Sequence, residues 1–233
     1  MLARSLLVLI LAAATASAAQ NPVKAFPQNY KVVLDSPEFS VLRVHYRPHE
    51  NVGLHDHSAY STIYVYLNDS GPVRFQHSEE AKPFDIVRPP THAGAFRVSP
   101  GRIERHSVEN LSELPSDYLR IELKRFPPGT IAHEFRGSAP KPPLVPGTTV
   151  AYASPQLRID RIICPSTGDC QLHYPNHDVI LIRIPNHALS AQESEQAYKR
   201  ADEAVIEPWH KGWNFTGDGS GPYQILRISI LRP

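Results

Sequence analysis

Four short segments occur twice in this chain, in the same order, and that repetition restricts the available folds more than any other feature. Leu42-Arg43-Val44 has a counterpart in Leu157-Arg158-Ile159, and Ile63-Tyr64-Val65-Tyr66-Leu67 in Ile180-Leu181-Ile182-Arg183-Ile184. His106-x-x-x-Asn110 is echoed by His210-x-x-x-Asn214, and Leu119-Arg120-Ile121-Glu122-Leu123 by Leu226-Arg227-Ile228-Ser229-Ile230. Matches in constant order, with gaps of differing length, are the mark of a duplicated unit whose loops have drifted. The 233 residues are enough for two units, each of roughly 100 residues with its own modest core.

Each unit reads as β-structure. In the first, Val41–Tyr46, Ser61–Leu67, Val73–Phe75, Ala95–Val98 and Tyr118–Leu123 are short runs rich in β-branched and aromatic residues. Turn residues such as Asn68-Asp69-Ser70-Gly71 separate them. Strands at that spacing point to an all-β sandwich or barrel. The 23 prolines argue against long helices. Six of them crowd residues 127–146 and mark a linker, extended enough to pack as an arm. Ser190 to Ala204 departs from the pattern: its Ala, Gln, Glu and Lys favour a short helix inserted in the second unit, with a polar loop as the alternative.

The N-terminus has a separate logic. Arg4, the apolar run Leu6 to Ala14 and the small residues Ala16-Ser17-Ala18 compose a secretory signal peptide over residues 1–18. A membrane anchor is the competing reading, but the run is short for a bilayer. The expected destination is the periplasm or the exterior. Export fits the cysteine pair Cys164 and Cys170, which reads as a disulfide around the turn Pro165-Ser166-Thr167-Gly168-Asp169. A thiol metal site is the alternative. Loss of Arg4 takes the formal charge from +1 to zero, so the mature chain lacks an electrostatic footprint for nucleic acid or anionic membrane.

Histidine spacing carries the candidate chemistry. On a strand, residues i and i+2 point to one face, so His55-Asp56-His57 can offer two imidazoles to one metal ion. Twelve histidines produce such a pair by chance often enough that context must decide. The context is Pro100-Gly101-(x4)-His106-(x3)-Asn110, about fifty residues on. Gly53, His55, His57 and Gly71, followed by Pro100, Gly101, His106 and Asn110, resemble the two motifs of the cupin superfamily over residues 31–125. A degenerate copy covers 148–233.

That resemblance implies two tandem double-stranded β-helix (jelly-roll) barrels, residues 31–126 and 148–233. The extension 19–30 would precede them and the linker 127–147 join them. It also implies a divalent metal held by His55, His57 and His106. Where cupins often place a glutamate ligand this chain has Ser61 or Thr62, leaving three neutral histidines. Such a set suits Zn, Fe(II), Mn, Ni or Cu with water in the open positions. The competing readings are a buried structural histidine and a polar barrel mouth. His45, His49, His77 and His92 lack motif context and read as surface or loop residues. In the second unit His173, His177, Asp178 and His210 are the candidates for an eroded second site, but no His-x-His survives. A structural barrel packed against the first is the alternative reading.

Tyr60, Tyr64 and Arg120 would join a pocket if their faces turn inward. The family analogy is compatible with a dioxygenase, isomerase, lyase or decarboxylase acting on a small molecule, and with a barrel that binds a small molecule or sugar without turnover. A structural barrel is the third reading. A homodimer is a further family expectation, against two repeats that cover each other within one chain. Asn68, Asn110 and Asn214 begin glycosylation sequons.

Overall fold

The structure is a computed structural model that describes residues 20–172, 178–184, 189–200 and 213–231. The leader therefore lies outside the described residues. So do His173, His177 and His210, and the side chain of Asp178 is not described.

Strands form where the β-rich runs occur. The first repeat begins with a short helical turn, α1 (Pro22–Ala25), capped by Asn21. Ten strands follow: β1 (Tyr30–Asp35), β2 (Phe39–Tyr46), β3 (Asn51–His57), β4 (Ser61–Tyr66), β5 (Val73–His77), β6 (Phe84–Arg88), β7 (Phe96–Ser99), β8 (Glu104–Asn110), β9 (Ser116–Leu123) and β10 (Phe135–Gly137). They make a six-stranded sheet, β1-β2-β9-β4-β7-β10, and a four-stranded sheet, β3-β8-β5-β6. The proline-rich stretch contributes β10, which adds to the edge of β7. The two sheets enclose a cluster that includes Val44, Tyr64, Tyr66 and Tyr118 from one and Val52, Val73 and Val108 from the other.

The second repeat holds β11 (Gly147–Ala153), β12 (Leu157–Cys164), β13 (Thr167–Leu172), β14 (Asp178–Ile184), β15 (Trp213–Asp218) and β16 (Tyr223–Ile230). Its sheets are β11-β12-β16-β14 and β13-β15. Cys164 and Cys170 are joined as a disulfide between the two sheets, inside a second apolar cluster with Ile162, Leu172, Val179, Leu181, Tyr223 and Ile225.

Register makes the duplication explicit. Ile63 pairs with Ile121, and Ile121 with Val41; Ile180 pairs with Ile228, and Ile228 with Ile159. The bulge between Val32 and Leu34 on β1 recurs between Val150 and Tyr152 on β11. The ladders correct one sequence match. Val41 corresponds to Ile159, so Arg43 corresponds to Arg161 and not to Arg158. Arg-Ile occurs twice in β12, at Arg158-Ile159 and Arg161-Ile162, and sequence similarity alone slides between them; a ladder fixes the face each residue takes.

Alternation then assigns the faces. Tyr64, Tyr66, Tyr118 and Arg120 point into the first barrel, whereas Ile63, Val65, Leu119 and Ile121 point out of it. The outward set does not meet water. It merges with Ile159, Ile180, Ile182, Leu226 and Ile228 in one buried cluster shared by both repeats. Full burial of each such aliphatic side chain contributes about 2 kcal/mol before entropic costs. The two repeats therefore cover each other's outer sheet faces within one chain.

The inserted helix α2 (Ala191–Arg200) forms as its composition suggests. Ser190 and Glu193 make a reciprocal capping box: Glu193 N donates to Ser190 Oγ at 3.3 Å, and Ser190 N to Glu193 Oε2 at 2.8 Å. The helix docks on the first barrel. Tyr198 stacks on His45 with ring centroids 5.2 Å apart, and Lys31 Nζ donates to the carbonyls of Tyr198 and Lys199 at the helix C-terminus. Asn68 and Asn110, read as sequons, are each 1% exposed. Their amides donate to backbone carbonyls of Pro115 and of Arg47 and Leu114, so they latch loops and are not open to modification in the folded chain.

Candidate metal centre

β3 and β8 are antiparallel neighbours, and their register sets His55 opposite His106 and His57 opposite Glu104. β8 also pairs with β5, which sets His77 opposite His106. The inner face of this sheet thus carries a row His55–His106–His77 and a second row His57–Glu104. The ligand atoms of His55, His57 and His106 lie within 4.8 Å of one another. The three ring centroids are 4.8 to 5.1 Å apart. Tetrahedral ligands of one zinc-like ion at about 2.1 Å stand about 3.4 Å apart, so the rings need to close by up to about 1.4 Å to share one.

The electrostatics suit a cation. Burial lowers the pKa of all three histidines, that of His57 and His106 far below the ordinary value. They are neutral imidazoles, the form that ligates a metal. His55 Nδ1 lies 2.8 Å from the carbonyl of Gly53. A carbonyl only accepts, so Nδ1 carries the proton and Nε2 presents a lone pair. That lone pair accepts from the Tyr30 hydroxyl at 2.8 Å. Tyr30 continues to Tyr46 at 2.7 Å, and Tyr46 to Tyr118 at 2.9 Å. Burial raises the pKa of all three tyrosines, so the chain is one of neutral hydroxyls. His106 is different: both its ring nitrogens are buried without a hydrogen-bond partner. An orphaned buried imidazole between two others is what a missing ligand leaves behind, and the donor set fits a divalent metal.

The expected glutamate position is indeed occupied otherwise. Ser61 and Thr62 are buried, and the Thr62 hydroxyl donates to the Tyr60 carbonyl. A carboxylate nonetheless reaches the site from β8. Glu104 accepts from Arg120 Nη1 at 2.7 Å and from the Tyr64 hydroxyl at 3.4 Å. Burial pushes its pKa up, but the Arg120 and Arg102 guanidiniums outweigh this and hold it at about 2. The Glu104-Arg105-His106 alternation carried this signal, because a strand that turns His106 inward turns residue 104 inward too.

These residues line a cavity of about 70 Å³ that includes His57, His77, Tyr64, Glu104, His106 and Arg120. Tyr60 is not among its walls. It is 40% exposed, on the bend before β4, and borders a separate depression with Gly101 and Phe126. The cavity adjoins a cleft of about 650 Å³ through shared walls at Tyr66, Arg88, Pro89, Arg97 and Arg136.

Two of the histidines read as surface residues are buried. His77 is 3% exposed, stacked on Phe84 and bonded through Nδ1 to Glu79 at 2.8 Å. His45 is 1% exposed and faces out of the first barrel, where α2 covers it. Its Nδ1 lies 3.0 Å from Asp117 Oδ1, which Arg43 also reaches at 2.6 Å, and Ser194 of α2 donates to Asp117. Ser194, His45 and Asp117 are not a nucleophile with its base. Ser194 is wholly buried, and it meets the same imidazole nitrogen as the carboxylate does. The second-repeat equivalents of Arg43 and Asp117 are Arg161 and Gln224, joined by a hydrogen bond and covered by the linker carbonyl of Ser138. His49 and His92 are exposed, as their sequence context suggests.

No family model and no curated protein matches the chain. Solved structures do. The bacterial pirin YhhW from Escherichia coli, in complex with nickel(II), is 13% identical, with 84% of this chain and 83% of that one covered at a TM-score of 0.50. AerE from Microcystis aeruginosa is 11% identical, with 88% and 98% covered at 0.49. A cupin domain from Bordetella pertussis is 21% identical over 41% of this chain and 91% of its own, at 0.34.

Proposed function

Starting from a chain that has the fold of the cupin superfamily, as a tandem pair of barrels, we propose that its first barrel binds a divalent transition metal through His55, His57 and His106. The metal would supply a Lewis acid and open coordination positions to a small molecule in the cavity. The protein's own residues do the rest. Gly53 fixes the His55 tautomer, Tyr64 and Arg120 hold Glu104, and Arg88, Arg97 and Arg136, at the neck where cavity and cleft share walls, meet what enters. The N-terminal leader and the disulfide support export to an oxidising compartment.

The observation that carries this reading is His106, buried with both nitrogens unpartnered between two other neutral imidazoles. The test is metal content of the purified chain, before and after loading with Zn, Fe(II), Mn, Ni or Cu, beside His106→Ala. About one equivalent in the parent and none in the variant is the expected result. No uptake by the parent under any loading sinks the proposal.

One observation favours holding a ligand over transforming it. Glu104 is the sole carboxylate on the cavity wall among the described residues, and both its oxygens are engaged by Arg120, Tyr64 and Arg102. Held at a pKa of about 2, it is a poor general base near neutral pH. Turnover of small-molecule panels by the loaded protein decides between the two readings.

A further inference from the structure

A guanidinium stays charged in a protein interior and calls for a counter-ion. Arg88, at the end of β6, is 8% exposed and stands where the cavity meets the cleft. Its Nη2 donates to Ser70 Oγ at 3.0 Å and Ser116 Oγ at 2.9 Å, both neutral, and its Nε is buried without a partner. No carboxylate of the described residues forms an ion pair with it. Arg97, on β7, stands at the same junction, and its Nε is likewise buried and unpartnered. Its one carboxylate is Glu134, 3.3 Å from Nη1, and Glu134 is shared with Arg136 at 2.7 Å.

The remaining charges do not offset this excess. Arg120 is matched by Glu104 and Glu122, and Arg102 leans on Glu104. Tyrosine faces hold the two guanidinium planes: Arg97 lies 4.1 Å from the Tyr64 centroid, and Arg88 lies 5.2 Å from that of Tyr66. Stacking fixes each plane and leaves its N–H edges as donors.

We propose that this neck is the recognition site for a small organic carboxylate, gripped by Arg88 and Arg97 with its body directed toward Phe75 and the histidines. The planar fork of a guanidinium matches a carboxylate. The inner cavity of about 70 Å³ takes a body of only a few heavy atoms, and the cleft takes any remainder. Glu134 acts as a resident competitor for Arg97 and Arg136. The inference names the ligand class for the metal-site reading and rests on that reading only in using the same cavity.

The test is calorimetric titration of the full chain, metal-free and metal-loaded, with acetate, butyrate and benzoate against their matched amides. At least one carboxylate should bind tenfold or more tightly than its amide in both forms. Arg97→Gln should weaken it tenfold or more, and Glu134→Gln, an exposed change that spares the fold, should tighten it. Equal binding of acids and amides overturns the proposal. So does indifference to both substitutions. A preference that appears only after metal loading also overturns it, by assigning the carboxylate to the metal. If the chain takes up no metal and the acid preference persists, the metal reading falls and this one stands.

Discussion

The hydroxyl of Tyr30 donates to Nε2 of His55 across 2.8 Å, and so occupies the lone pair that a metal would need. Tyr30 has a second partner in Tyr46, so its proton can turn away when a cation arrives. The side chain therefore competes with metal without blocking the site. Tyr30→Phe should tighten metal binding by about two- to tenfold, the worth of one net hydrogen bond. Competition titration against a chelator measures it. Weaker binding in the variant would show that the hydroxyl is itself a ligand.

His106 should stabilise nothing in the metal-free protein. Its two unpartnered nitrogens are buried at 4% exposure, and each unmet polar group costs about 1–3 kcal/mol. His106→Leu should therefore raise the stability of the metal-free chain by about 1 kcal/mol or more, while removing the stabilisation that added metal gives the parent. Denaturant unfolding with and without metal checks both halves. A metal-free variant less stable than the parent would refute the account of His106 as an orphan.

Acid should destabilise the metal-free chain through these same rings. Burial lowers the pKa of His55, His57 and His106 in the folded state. Below the unfolded value of about 6.5 the unfolded chain takes up protons that the folded chain refuses. Stability is then level above about pH 7.5 and falls as pH drops through 6.5, by up to about 1.4 kcal/mol per pH unit for each ring. The carboxylates with lowered pKa, Glu104, Asp117 and Glu195, act only further down. Unfolding free energies from pH 8 to 5 should show the slope, and His106→Leu should reduce it.

The contact between α2 and the first barrel hinges on Asp117. This carboxylate is wholly buried and serves Arg43, His45 and Ser194 together. Asp117→Ala removes a buried carboxylate that Arg43, His45 and Ser194 share, and should cost about 3–5 kcal/mol. Glu195→Gln, on the partly exposed rim of the same contact, should cost less than about 1 kcal/mol. Comparable losses from both would mean that the cluster is not the seat of the docking energy.

The chain's own order of residues determined the all-β duplicated architecture, the short helix with its Ser190/Glu193 cap, and the pairing of His55 with His57. Each is a local matter: β-branched runs and their alternation, helix composition and capping, and the period of two along a strand act within a few residues. The sequence could not show what lies across a ladder. The motif resemblance groups His106 with His55 and His57; register set it opposite His55 and brought Glu104 inward, a carboxylate the motif does not predict. Register also turned Arg43 and His45 toward a helix some 150 residues later. His45 and His77 looked peripheral because nothing near them in sequence is special, and Tyr60 looked central because its neighbours are. Burial of a charge, and the choice of its partner, are properties of surfaces closed by distant segments. The uncompensated Arg88 at the neck of the cavity exists only in the folded chain.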